Sequence, residues 1–569
     1  MTAGDAASRR GARALLTVAS LAVMLAAADT YVVVLALPDM MAGAGLGIDA
    51  LQRGAPIVSG FLLGYVAVLP LIGRLADLVP RRTILLWCLL VFVVGSAVTA
   101  VAVELPVMVG GRFLQGLGGG GLVPATLALV ADLWPPGRRG TPLGVVGAVQ
   151  EMGSVLGPLL GAAVLAVTSW RGIFWLNVAL GLAFVAGVWA LRPAPQPGTA
   201  DPAPARRHAS RRPGRVVAAV AGILAVGLGG LALTAPRALV TSVAWGGPFV
   251  PLGGSGSRLL TPVGLAAAAA LLVLLAVTAR SWLPVLLRAD LWGAVLVAVA
   301  LGSLVLTFAS ADPAVEVLGP WGLWLLPVGA AATVGLALRQ RYAAAPLVPA
   351  GVVRARVVPA LVVSVLVGAA IVAVVVDVPL LARLDGRTGQ TGAALVLLRF
   401  LVAVPVGAVA GGMLLRRVGP GAVAAPGLLV AAAALAVMSG WDRTSLDAWL
   451  PTTLPLVAAG LGVGLAIAPV NDAALADARH DAHATVSSLV VVARMVGMVV
   501  GLAVLTAVGL RRFHQTVAGL ADPTDAAAVL DAAAVQVQTV LAGAAWCALA
   551  AALVALALGL RSHRGTMAS

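Results

Sequence analysis

The chain contains no lysine, and only 10% of its 569 residues are charged. Soluble domains carry about 25% charged residues, so this shortage excludes an ordinary soluble enzyme or binding module. Cysteine is reduced to Cys88 and Cys547, both inside apolar runs. Two isolated thiols supply neither a disulfide framework nor a metal-ligand set, and they read as packing residues. The five histidines are scattered, mostly near helix ends or in loops. No Ser/His/Asp set, metal-ligand spacing or phosphate loop is legible. The sequence therefore points to no enzyme, no catalytic residues, no metal and no cofactor. Aromatic residues, at 4%, are too sparse to favour an aromatic cage for cationic drugs.

What is present is apolar length. Hydrophobic residues make up 61% of the chain, and runs near the roughly 20 residues needed to cross a bilayer recur from end to end. The expected fold class is an all-α polytopic membrane protein in the cytoplasmic membrane. A net charge of +15 would suit a nucleic-acid partner if it lay on one face. Instead the arginines fall in short loops on alternate sides of the apolar runs, which is the positive-inside pattern. No nucleic acid is expected. Arginine and alanine enrichment suggests a GC-rich bacterium.

The apolar runs divide into three sets. Six helices are expected near 14–37, 55–76, 83–103, 106–131, 142–167 and 172–191, so that residues 1–192 form an N-terminal six-helix bundle. Arg9, Arg10 and Arg13 precede the first run, which carries Asp29 and lacks a small-residue cleavage site. It reads as a spanning helix rather than a cleaved signal. Residues 193–214, rich in Pro, Ala and Arg, read as a cytoplasmic linker. Within 215–356 four further runs lie near 216–235, 261–279, 291–310 and 321–338, with Arg280 and Arg288 placed in a turn. Six more helices, near 357–378, 391–414, 421–439, 452–475, 486–518 and 527–560, make 357–569 a C-terminal bundle. The total is sixteen spans, or fourteen if one central pair does not cross. Alternate loops put both termini in the cytoplasm.

The last two runs are too long for a bilayer alone. About 33 residues make a helix of roughly 50 Å against a hydrocarbon core of about 30 Å. The excess surrounds Arg511, Arg512, His514, Gln515, Asp522 and Asp531. It is expected to project as a paired periplasmic extension, the alternative being an ordinary loop.

Two acidic residues interrupt otherwise lipid-soluble segments: Asp29, between Ala28 and Thr30, and Glu151, between Gln150 and Met152. An ionised carboxylate at the bilayer centre costs roughly 2.5–3.5 kcal/mol on insertion scales. A chain keeps one there when it faces water or a partner, and protonation removes the charge. This is the chemistry of proton coupling. Asp377, Arg399 and Asp472 are further ionisable candidates. Asp377 and Arg399 either pair or sit at helix ends in water, while Asp472 and Asp477 read as cytoplasmic-end charges.

Local motifs support a transporter. Gly73, Asp77, Arg81 and Arg82 punctuate the loop after the second run, and Gly412–Gly419 repeats part of that pattern without the acid. Arg112, Gln115 and Gly116 lie in the fourth run, where an arginine needs an acceptor. Gly153, Gly157 and Gly161 recur every fourth residue around Pro158, a spacing that lets helix backbones approach closely. Two six-helix sets fit an internal repeat.

These motifs resemble the major facilitator superfamily. The 73–82 loop is similar to its cytoplasmic latch, although Pro80 replaces a usual glycine and Leu78 a common arginine; a plain charged turn is the alternative. The Arg112 segment is similar to a fourth-helix motif implicated in proton transfer, with a structural tie to a carbonyl as the other reading. The Gly153–Gly161 segment, followed by Trp170–Asn177, resembles the drug:proton antiporter branch with extra central helices. The segments 29–34, 150–158, 376–378, 491–498 and 513–520 together resemble the mycobacterial triacylglyceride exporters. That resemblance implies functional roles for Asp29, Glu151 and Arg494, adds Asp377 as a proton-coupling candidate, and implies a periplasmic lipid-carrying lipoprotein as partner. The expected activity is proton-coupled export of lipids or other hydrophobic molecules by a monomer, driven by the proton gradient. A multidrug:proton antiporter is the alternative within transport, and a non-transporting envelope scaffold or receptor is the alternative outside it.

Overall fold

A computed structural model of the chain describes residues 3–46, 51–135, 138–191, 212–242, 246–252, 257–309, 322–343, 346–349, 351–353, 356–384, 390–476, 478, 482–520, 522 and 525–559. Among the described residues the protein is all helix and short turn, without a strand. Apolar segments placed in lipid must satisfy every backbone group internally, which only a helix does within one segment.

The first set is α1 (Ala3–Gly43), α2 (Leu51–Leu78), α3 (Arg81–Val101), α4 (Leu105–Leu133), α5 (Gly140–Val167) and α6 (Trp170–Ala190). The central set is α7 (Arg212–Thr234), the single turn α8 (Arg237–Val240), α9 (Pro262–Arg288), α10 (Leu291–Ala309) and α11 (Gly322–Tyr342). The last set is α12 (Val357–Leu384), α13 (Gln390–Leu414), α14 (Pro420–Met438), α15 (Trp449–Ala476), α16 (His483–Ala518) and α17 (Ala526–Ala555). Fifteen of these helices are long and apolar enough to cross a membrane, and α10 adds a shorter apolar stretch at Leu291–Leu304. That count lies between the sixteen and fourteen expected from sequence.

Chain punctuation follows local chemistry. Pro80 stands at the N-cap of α3, and Pro420 opens α14, where a missing N–H costs nothing. Thr261 accepts from Gly264 N at 3.1 Å to cap α9, and Asp525 accepts from Ala527 N at 2.9 Å to cap α17. One expected turn is corrected. Arg280 lies inside α9, which runs on through Pro284 to Arg288.

The first and last sets pack alike. α1 lies on α5, α2 on α4, and α3 on α4 and α6; likewise α12 lies on α16, α13 on α15, and α14 on α15 and α17. This equivalence of pairing is the structural form of the repeat. In the centre, α7 pairs with α9 and α10 with α11, while α10 also packs along α2. The expected linker 193–214 lies outside the described residues, except for its last three residues, which begin α7.

At 36 and 30 residues, α16 and α17 are about 54 and 45 Å long. They stay paired beyond the middle of α16, where a methyl placed on Gly509 would come within 2.8 Å of Val540. Asp531 pairs with Arg443 at 2.6 Å, and Gln538 donates to Trp441 O at 2.9 Å, so the start of α17 is held against the turn after α14.

Candidate functional site

Asp29 sits on α1 and is only 1% exposed. Its carboxylate is met from two other helices. Arg112 Nη1 of α4 donates to Oδ2, while Gln115 Nε2 of α4, at 3.1 Å, and Asn177 Nδ2 of α6 donate to Oδ1. Gln115 also donates to Ser96 Oγ of α3 at 2.8 Å and accepts from Arg112 Nη1 at 2.8 Å. The Arg112 guanidinium lies 4.5 Å from the Phe61 ring centroid, and its Nε donates to Ile57 O at 3.3 Å. Arg112 thus has both an acid and a backbone carbonyl as acceptors. A buried ion pair survives only with such added hydrogen bonds, since desolvation of each charge is expensive. Gly116 brings α4 close enough for this, because a methyl there would meet Tyr65 N of α2 at 2.8 Å.

Glu151 is held differently. It lies on α5 and pairs with Arg494 of α16 at 3.3 Å, joining the first and last helix sets. Both side chains are partly exposed, at 18% and 14%, to the space between the sets. The glycine row of the same helix faces α1. A methyl on Gly153 would come within 2.8 Å of Ala27 Cβ, and one on Gly157 within 3.2 Å of Ala28 C; α1 and α5 are therefore in backbone contact. Gly161 is looser, with Val32 at 3.5 Å. Pro158 lies within α5 between these glycines.

Two cavities meet at Gln150 and Arg494. The upper, roughly 660 Å³ including its mouth, is bounded by Thr30, Phe61, Tyr65, Glu151, Arg494 and Met498, among others. The lower, roughly 530 Å³ including its mouth, lies between Leu127 and Leu143 of the first set and Val363, Ile467 and Val490 of the last. Gln150 and Arg494 line both. The lower wall is dominantly aliphatic, whereas the upper one also presents Thr30, Phe61, Tyr65, Glu151 and Ser154.

Below the lower cavity the two sets close on each other. Asp77, at the end of α2, accepts from Ala484 N and Thr485 N at 2.9 Å each and from Thr485 Oγ1 at 2.6 Å. It caps the first turn of α16, where unpaired N–H groups and the helix dipole favour an anion. Arg81 bonds Asp77 at 3.1 Å and Asp132 at 3.3 Å. Arg82 takes no part in this cluster; it donates to Val188 O at 2.8 Å and Trp189 O, tying α3 to α6. Gly73 gives the α2–α16 approach its closeness, since a methyl there would meet Ser488 Cβ at 2.7 Å. On the opposite side, α5 meets α13 at Gly140 and Gly144, and α5 meets Ile467 of α15 at Gly147.

Asp472 lies near the end of α15, as its place in the apolar run suggests, but it is buried. It is 5% exposed and receives Arg139 Nε at 2.8 Å, with Arg139 Nη2 on its backbone oxygen at 3.3 Å. Packing of α15 against α5 draws it inward. Asp477 lies outside the described residues. The alternatives for Asp377 and Arg399 both fail. Asp377 is 2% exposed, and its Oδ2 has no partner among the described residues, whereas Arg399 donates to Thr453 Oγ1 at 3.0 Å. Asp377 therefore stands apart from both the Asp29 and Glu151 centres. No group of three or more His, Cys, Asp or Glu arranged for a metal occurs among the described residues.

The family model for the Major Facilitator Superfamily matches residues 19–340, more than half of the chain. The chain belongs to the Major Facilitator Superfamily. A triacylglyceride transporter of Mycobacteroides abscessus is 35% identical over 512 residues, covering 88% of this chain and 83% of that one. The triacylglyceride transporter of Mycobacterium tuberculosis is 34% identical over 546 residues, covering 93% and 89%. Among solved structures, the human organic anion transporter MFSD10 (TETRAN) aligns with a TM-score of 0.54 at 15% identity, over 96% of this chain and 99% of that one. The proton:xylose symporter XylE gives 0.53 at 12%, over 96% and 95%. These two share the fold, with its paired six-helix sets.

Within this superfamily member, several partners escaped sequence reasoning. Asn177, Ser96, Asp132, Thr485 and Arg139 all contact the motif residues or close the lower end. Asn177 carried a signal, being an amide inside an apolar run; Arg139 looked like any loop arginine beside Arg138.

Proposed function

We propose that this multi-pass membrane protein is a proton-coupled exporter of triacylglyceride-like lipids or related hydrophobic molecules. The observation that carries the reading is the Glu151–Arg494 pair, which joins the two helix sets and whose Arg494 borders both cavities between them. Protonating Glu151 neutralises one partner, so the attraction holding α5 to α16 is present in one protonation state and absent in the other. Only such a differential interaction shifts a conformational equilibrium. The fully buried Asp29–Arg112 centre is the second proton-handling group, and Asp377 a third. By the positive-inside rule, the closed end that bears Arg81, Arg82 and Arg139 faces the cytoplasm, which makes this the outward-facing state of an alternating-access cycle. The Asp77 cluster is then its cytoplasmic latch. The cavity walls and the relatives named triacylglyceride transporters support a lipid cargo. The long α16–α17 pair would project from the periplasmic face, where a lipid-carrying lipoprotein could receive the cargo.

The test is lipid release and dye efflux from the same cells at matched expression, comparing wild type with Asp29→Asn and Glu151→Gln. Loss of lipid release with dye efflux intact is the expected result. Loss of dye efflux alone would replace the lipid reading with a multidrug antiporter. No response in either process would remove the proton-coupling assignment.

A further inference from the structure

Asp29 and Arg112 are shut away from water: both side chains are 0% exposed. A carboxylate that exchanges protons inside a membrane must meet water in some state, so this pair needs an entrance. Arg112 marks where one lies. Its Nε reaches Ile57 O and its Nη1 reaches Asp29 and Gln115, but Nη2 is buried and meets no acceptor among the described residues. Aromatic faces stand in for that acceptor. The Phe61 centroid lies 4.5 Å from the guanidinium carbon and the Phe174 centroid 5.8 Å, both within reach of a cation–π attraction.

The two rings differ in what lies behind them. Phe174 belongs to an apolar core with Met108 and Trp170 and borders neither cavity. Phe61 is fully buried as well, yet it borders the upper cavity beside Leu62 and Tyr65. Its ring is therefore the wall between that cavity and the guanidinium. At its tip the ring faces Gly119 of α4, where an added methyl would stand 3.7 Å from Cζ, so no side chain pins it there. Phenylalanine has other staggered rotamers, and the upper cavity gives the ring space to turn into. Water admitted behind it would supply Arg112 Nη2 with the acceptor it lacks and would find the polar partners that hold a buried water.

We propose that the Phe61 ring is a gate that admits water, and with it protons, from the upper cavity to the Asp29–Arg112 pair. The gate rests on the proton-handling reading of Asp29 and adds the route by which the proton arrives. With the ring over Arg112 the pair is dry and both charges are fixed on each other. With the ring turned aside, the cation–π attraction is exchanged for hydrogen bonds to water, and a proton from that water neutralises Asp29. Glu151 borders the same cavity, so the open gate joins both acids to one body of water. The step moves a ring and not a helix, so Asp29 takes its proton while the cytoplasmic end stays closed.

The test uses full-length protein in lipid vesicles that carries Asp29→Cys, lacks Cys547 and keeps Cys88, which is buried in the same helix set, as an internal reference. Methyl methanethiosulfonate, a small neutral reagent, is added, and modification of each thiol is followed by mass spectrometry. Labelling at position 29 should be slow. Phe61→Ala should speed it roughly tenfold or more, since the ring and the attraction that holds it over Arg112 are both removed. Phe61→Tyr, which keeps the ring, and Phe174→Ala, which removes a ring bordering neither cavity, should leave it slow, and Cys88 should stay unmodified throughout. An unchanged rate with Phe61→Ala, or an equal rise with Phe174→Ala, would overturn the gate. So would a rise at Cys88 matching that at position 29, because the bundle would then merely have loosened. Normal lipid release by Asp29→Asn would instead remove the proton reading, and this inference with it.

Discussion

Arg139 and Asp472 are 333 positions apart and form a buried ion pair of 2.8 Å between the start of α5 and the end of α15. It is the counterpart, on the α5 side of the protein, of the Asp77 cap on the α2 side. Removing one partner of a buried pair leaves a charge without compensation and costs roughly 3–5 kcal/mol. Asp472→Asn and Arg139→Gln should each lower thermal stability more than the double variant does. A double variant as unstable as the sum of the singles would show that the pair is not coupled.

Asp77 predicts a graded effect on the closed end. It satisfies two backbone N–H groups of α16, and loss of a cap costs about 1–2 kcal/mol. Asp77→Ala should therefore favour the open arrangement of this end by roughly tenfold, since each 1.4 kcal/mol is a factor of ten. Thiol labelling of Val491→Cys, beside the lower cavity, in a chain without Cys88 and Cys547 would read this as faster modification. Unchanged labelling would show that the cap does not hold the end closed.

The glycine row of α5 predicts an order. Gly157→Ala places a methyl 2.5 Å from Ala28 O, whereas Gly161→Ala meets only ordinary contacts at 3.5 Å. Forcing α1 from α5 costs typically 1–3 kcal/mol. Lipid release should fall with Gly157→Ala and be retained with Gly161→Ala. Equal sensitivity at the two positions would contradict the α1–α5 geometry.

The Asp29 centre separates stability from transport. Asp29→Asn leaves the Arg112 charge buried and unpaired, which should destabilise by roughly 3–5 kcal/mol. Adding Arg112→Gln should restore stability, measured by thermal unfolding, without restoring lipid release. Recovery of release in the double variant would exclude Asp29 from proton handling.

Much of this was legible in one dimension. Lipid tolerates only long apolar helices, so α3, α6 and α14 follow directly from their runs, and lone acids such as Asp29 and Glu151 stand out against that background. The glycine row announced a close helix contact but not which helix; α1 became its partner only through packing. Pairings across long separations were hidden, as with Arg112 and Asp29 at 83 positions and Arg494 and Glu151 at 343. The partner of Asp472 was hidden in the same way, because a charge near a run's end shows nothing of the helix that will cover it. Arg280 misled because a long arginine can extend its charged head to water from inside a helix.

Purified protein in lipid vesicles, with and without an imposed pH gradient, tests the central claim most directly. The quantity measured is the transfer of labelled trioleoylglycerol to an external acceptor. Wild type should transfer lipid faster with the gradient than without it, and Glu151→Gln should show the same slow transfer in both. Wild-type transfer that ignores the gradient, or a Glu151→Gln variant that responds as wild type does, would contradict the account.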